Sequence, residues 1–143
     1  MTQVDGLKKT YYLMTGPALA GLVVSGMART KEIIPLWHME KGGQVLLLVI
    51  CAVTCFAAPL MMRTLFAHSL KDRHGAQADR FFKFQQRLLL VSQLTPWWTM
   101  FVVVAEFEKF HGSAIILMGL YAVYYYYPSQ RRIAFDQRIF RVK

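Results

Sequence analysis

The stretch QVLLLVICAVTCFAAPLMM, residues 44–62, contains no charged side chain. A helix rises about 1.5 Å per residue, so this run extends roughly the 30 Å of a bilayer's hydrocarbon core. In hydrocarbon a backbone N–H or C=O finds no water, and a single segment closes its own hydrogen bonds only as a helix. Residues 44–62 therefore predict a transmembrane helix.

Three more apolar runs flank it: Tyr11 to Ala28 upstream, then Leu88 to Ala105 and Ser113 to Tyr127 downstream. The last is short, so it needs part of Phe107 to Gly112, or a locally thinner bilayer. The predicted fold is all-α, an integral membrane four-helix bundle in which residues 1–143 form one membrane domain. Composition agrees. Of the 143 residues 55% are hydrophobic and 17% charged, and the mean hydropathy is +0.31, which is more apolar than an ordinary soluble domain. The first run resembles a secretion signal in having Lys8 and Lys9 before it and Ser25, Gly26 and Ala28 near its end. Arg29 and further apolar runs follow, and it reads as a retained first span.

The net charge of +9 becomes informative once it is placed. Lys8 and Lys9 precede the first span; Arg63, Lys71, Arg73, Arg80, Lys83 and Arg87 lie between the second and third; Arg131, Arg132, Arg138, Arg141 and Lys143 follow the fourth. The other two connections hold only Arg29, Lys31, Lys41 and Lys109. Cytoplasmic loops carry the excess of Lys and Arg, so four spans place both termini in the cytoplasm, with the inner membrane of a bacterium as the expected location. The tyrosines Tyr11, Tyr12 and Tyr124 to Tyr127 fall at the same interface, where rings with a polar edge settle. Anionic lipid headgroups, rather than nucleic acid, are the expected counterions.

Residues 63–87 read as two helical extensions meeting at a turn near His74 and Gly75, a basic hairpin on the cytoplasmic side. The tail, residues 128–143, interleaves Ile133, Phe135, Ile139, Phe140 and Val142 with arginines, the pattern of an interfacial helix or of extended strands docked on a partner. Arg63, Arg73, Arg80, Lys83, Arg87, Arg131, Arg132, Arg138 and Arg141 are the candidate lipid- or partner-binding residues.

Helices in lipid associate through small residues and hydroxyls. Gly21 and Ser25 form such a pair in the first span. Cys51, Thr54 and Cys55 share a face with Ala58 in the second, and Ser92, Thr95 and Thr99 lie beside Gln93 in the third. These faces are expected to meet in the interior. Pro17, Pro59 and Pro96 lie within spans and predict kinks, since each frees a carbonyl.

Candidate chemistry is sparse. The topology brings His38 and Glu40 to the same outer side as Glu106, Glu108 and His111, and imidazole with carboxylate suits zinc, iron or manganese; the same residues also suit an exposed polar turn. Cys51 and Cys55 in hydrocarbon read as small packing residues rather than thiolate ligands. No histidine lies at membrane depth to hold a haem, and no cofactor is predicted. Embedded charges, the mark of an ion pathway, are likewise missing from the four runs.

Asp79-Arg80 ahead of a span resembles the Glu-Arg pair of the membrane glutathione-transferase and eicosanoid enzyme family, which shares this size and four spans. That likeness implies a lipid- or glutathione-type enzyme with a polar pocket near Arg80, Lys83, Gln86 and Arg87. Arg87 and Leu90 stand where the family pattern has an asparagine and a glutamate, so its glutathione-contacting groups are not carried over. Taken by themselves, the residues point to a non-catalytic accessory or assembly subunit of a larger membrane complex, with membrane lipids and other subunits, or copies of itself, as partners. The alternative from the residues is a small-solute or ion transporter whose path runs beside Ser92, Gln93, Thr95 and Thr99.

Overall fold

The computed structural model describes residues 3–31, 37–70 and 76–142. The described residues are mostly helical, in five helices: α1 (Gln3–Thr30), α2 (Lys41–Ser69), α3 (Ala78–Val104), α4 (Lys109–Tyr125) and α5 (Gln130–Ile139). Three of them, over Val4–Thr30, Lys41–Ser69 and Ala78–Val104, are long and apolar enough to cross a membrane. At 17 residues, α4 has a length of roughly 25 Å. The turn expected near His74 and Gly75, together with Arg73, lies outside the described residues.

Two of the prolines coincide with irregular backbone. In α2 the helix widens into a π turn over Val53–Ala57, ahead of Pro59. Proline has no N–H to give the carbonyl four residues earlier, which here is that of Cys55. The Tyr126 hydroxyl, from the end of α4, donates to that carbonyl at 2.7 Å. In the same turn the Thr54 hydroxyl lies 3.0 Å from the Ile50 carbonyl and 3.0 Å from the Thr95 hydroxyl. In α3 the regular helix breaks at Gln93, three residues before Pro96, and resumes at Leu94.

The second half of α3 is the centre of packing, lying against α1 on one side and α4 on the other. Both approaches use glycine. A methyl group added at Gly119 would collide with Thr99, whose Cβ and Cγ2 would each lie 3.3 Å away; one added at Gly21 would meet the tip of Met100.

The two ends of the molecule differ. At one, the start of α1, the end of α2, the start of α3, the end of α4 and all of α5 converge on a core including Leu7, Phe81, Phe84, Tyr126, Ile133 and Phe140. Phe66 stacks on Phe84 at 4.1 Å, with Phe140 edge-on to Phe66 at 5.1 Å. At this end Tyr11 bonds the Val123 carbonyl at 2.8 Å, so the beginning of α1 and the end of α4 lie together. At the other, Trp37–His38 pairs in parallel with Ala105–Glu106. This short ladder was not expected from sequence; it fastens the first connection to the end of α3.

The tail forms a helix rather than strands. Ser129 caps α5 by accepting the Arg132 N–H at 3.3 Å, the role of a residue with a short side-chain oxygen at that position. The C-terminus closes with Val142 N–H on the Gln137 carbonyl at 3.0 Å, and Arg141 takes the left-handed φ of 47° that such an ending requires.

The two glycine contacts predict opposite outcomes. Gly119→Ala must displace Thr99, a branched side chain whose hydroxyl is held at 2.9 Å by the Thr95 carbonyl; overpacking of this kind costs about 1–3 kcal/mol. Gly21→Ala meets only a flexible methionine end and gains helix propensity, so its stability stays within about 1 kcal/mol of the parent. Thermal unfolding in detergent checks both; equal losses would refute the contrast.

Candidate functional site

Two pairs of interior polar residues bond across helices, Thr15 with Gln93 and Thr54 with Thr95, and the others bond backbone carbonyls. Thr15 on α1 donates to Gln93 Oε1 at 2.8 Å, and Gln93 Nε2 faces the Ala122 carbonyl on α4 at 3.4 Å. Gln93 thus ties three helices at the point where α3 breaks. Thr54 and Thr95 join α2 to α3, Ser92 bonds the Leu89 carbonyl at 3.0 Å, and Cys55 Sγ lies 3.5 Å from the Met118 carbonyl. Ser25 donates to the Gly21 carbonyl at 2.7 Å within α1. Cys51 and Cys55 are both fully buried and unoxidised.

Of the five residues expected on the outer side, four fall into two pairs, His38 with Glu106 and His111 with Glu108, and Glu40 stands apart. His38 Nδ1 lies 3.3 Å from Glu106 Oε2, with the two side chains 80% and 61% exposed, an exposure at which an ion pair contributes little. Glu108 pairs with Lys41 at 3.1 Å. His111 Nδ1 approaches Glu108 Oε2 at 3.5 Å, within ion-pair range but without hydrogen-bond geometry. Glu40 caps the start of α2 without a side-chain bond. Among the described residues no three His, Cys, Asp or Glu are grouped to hold a metal.

The residue that organises this end is Gln44, which sequence reasoning treated only as the start of a span. Its Nε2 donates to the Met39 carbonyl at 2.9 Å and reaches the Glu106 carbonyl at 3.4 Å, while its Oε1 accepts the Glu108 N–H at 2.9 Å. One buried amide therefore satisfies the strand ladder and the start of α4. A lone amide opening an apolar run was the available signal.

A second feature missed from sequence lies at the opposite end. Asp136 on α5 is buried, and its Oδ2 accepts from Arg63 Nη2 at 2.9 Å and from Gln85 Nε2 at 2.7 Å. The spacing Ile133, Asp136, Phe140 puts the carboxylate on the buried face of α5. A cavity of about 20 Å³ beside the pair has room for about one water. Arg63, expected to face lipid or a partner, instead turns inward to Asp136. Arg132 is similarly engaged, with its guanidinium 3.9 Å from the centre of the Tyr125 ring, a cation–π contact. Arg80, Lys83, Arg87, Arg131, Arg138 and Arg141 remain exposed.

Between the end of α2 and the start of α3 lies an open groove of about 450 Å³, walled by Met62, Leu65, Phe66 and Phe84 and edged by Arg80, Lys83 and Arg87. A larger recess of about 700 Å³ near the strand ladder is almost wholly apolar, with Trp37, Trp97, Trp98 and Phe101 in its lining.

Two predictions follow from these charges. Asp136→Asn leaves the partly buried Arg63 without its counter-ion, and breaking a buried pair costs about 3–5 kcal/mol. With Arg63 29% exposed, the expected loss is near the lower end, about 3 kcal/mol, read as a lower unfolding temperature and easier proteolysis of α5; unchanged stability would refute the role. At the other end, the hydrogen bond and charge of Lys41 hold the Glu108 carboxyl below its ordinary value. The Lys41–Glu108 contact is therefore present at neutral pH and weakens as pH falls through that depressed value. Lys41→Met should raise the Glu108 titration midpoint in an NMR titration. Comparison with known proteins finds no matching family model, no matching curated protein and no matching solved structure.

Proposed function

We propose that this chain is a four-span subunit of the inner membrane, with both termini cytoplasmic, which assembles laterally with other membrane protein rather than catalysing a reaction. Helix α4 is the fourth span, its first turn up to Gly112 lengthening the apolar run from Ser113 to Tyr127. The basic residues at the end where α5 docks lie at the cytoplasmic headgroups, and α5 rests in that interface. Its inner face carries Ile133, Asp136 and Phe140; its outer face presents Phe135 and Ile139 beside Arg131 and Arg138. This is the arrangement of a helix at a lipid surface.

One observation carries the assembly reading: the interior polar side chains a solute path would use already have hydrogen-bond partners inside the fold, Ser92 and Thr99 on backbone carbonyls, Gln93 on Thr15 and Thr95 on Thr54. Ser92, Gln93, Thr95 and Thr99 are at most 4% exposed, and the interhelical recesses beside them and beside Asp136 have volumes of about 30 and 20 Å³. The open surfaces lie on the outside, and the tryptophan-lined recess beside α3 is the proposed lateral contact for an apolar helix of the partner subunit.

Two measurements test this. Reporter tags at the two termini should both read cytoplasmic; opposite sides would refute the topology. A photo-crosslinking residue at Phe101 should capture one membrane protein at fixed stoichiometry, whereas the same probe at Leu13 on α1 should not. A chain that stays alone in mild detergent and in the membrane, yet drives solute flux in proteoliposomes, would overturn the assembly role.

A further inference from the structure

We propose that the groove between α2 and α3 seats one anionic phospholipid, its phosphate held by Arg80, Lys83 and Arg87 and an acyl chain lying along Met62, Leu65, Phe66 and Phe84. This deepens the membrane reading above, because it requires this end of the molecule to lie at headgroup level.

The groove combines two properties, an apolar wall and a basic edge. Its wall is apolar and its volume is about 450 Å³. Phe66 and Phe84 stack almost parallel, 6° apart at 4.1 Å, and Phe140 packs against both rings, so the floor is preformed rather than created by a ligand. Along its edge, Arg80, Lys83 and Arg87 stand at positions i, i+3 and i+7, one face of α3. Side chains on a helix lean toward its N-terminus, which draws Arg87 back toward Lys83 and the headgroup level. Among the described residues, none of the three is in an ion pair, whereas Arg63 is held by Asp136. Guanidinium groups match phosphate oxygens in geometry as well as charge. The tryptophan-lined recess is larger but its lining carries no charged residue, so it would not select among headgroups.

Native mass spectrometry from detergent tests the seat directly, using phosphatidylglycerol, phosphatidylcholine and inorganic phosphate as probes. The parent should retain one phosphatidylglycerol per chain and little phosphatidylcholine. The triple variant Arg80→Gln/Lys83→Gln/Arg87→Gln should lose retention tenfold or more. Ser69→Trp keeps every charge but fills the groove at an exposed position, and should lose it as well. The charge-matched control Lys9→Gln/Lys31→Gln/Lys109→Gln should retain lipid like the parent.

Equal retention of the two lipids would leave the basic stripe to a protein partner and overturn the proposal. So would retention unchanged by either groove variant, or displacement of the lipid by millimolar phosphate, which would indicate a charge site without an acyl seat. The experiment is independent of which way the protein faces. Failure here would therefore count against the lipid seat alone, and failure of the terminal tags against the topology alone.

Discussion

A buried backbone carbonyl must have a donor, and in this chain prolines keep withdrawing the one a helix would normally supply. Pro59 leaves the Cys55 carbonyl open, and the Tyr126 hydroxyl fills the place at 2.7 Å. The π turn over Val53–Ala57 comes just before this point, and its Thr54 side chain meets Thr95 on α3. The local defect in α2 is therefore also where α2 is tied to two other helices. Unsatisfied polar groups cost several kcal/mol where water is absent, so these ties stabilise chiefly by preventing that loss. At the break in α3 the buried Gln93 amide is satisfied by Thr15 and by the Ala122 carbonyl, which also accepts the Tyr126 N–H at 3.1 Å.

The two ends of the molecule use different means of closure. Where Trp37–His38 pairs with Ala105–Glu106, Gln44 gathers three backbone groups with one amide, and the charges around it are exposed pairs. Where the basic residues cluster, aromatic rings form the core and a single carboxylate, Asp136, is buried among them to neutralise Arg63. That carboxylate ties α5 to α2 and α3, while Arg80, Lys83, Arg87, Arg131, Arg138 and Arg141 stay exposed.

Much of the helical framework was legible because apolar runs and their lengths are read directly from residue order. The helices extend beyond the runs at several boundaries: α1 begins at Gln3 rather than Tyr11, whereas the start of α3 at Ala78 is the helical extension already read from residues 63–87. Charged residues continue a helix readily once they reach water, so the hydropathy boundary is not the helix boundary. The polar faces around Gln93, Thr95 and Thr54 were legible from helical spacing. Asp136 was not, since a carboxylate among arginines in a basic tail looks solvated until the fold brings Arg63 and Gln85 to it. The ladder between Trp37–His38 and Ala105–Glu106 was beyond reach for the same reason, as two-residue strands leave no periodic pattern.

The pairing of Arg63 with Asp136 spans 73 residues of chain. Ribosomes add roughly 5–20 residues each second, so the arginine waits several seconds before its counter-ion exists. An unneutralised guanidinium is disfavoured in hydrocarbon, so in the proposed topology the end of α2 stays at the water boundary while the later helices are made. The arrival of α5 then converts a temporary anchor into a permanent joint, giving one side chain two successive duties in the life of the protein.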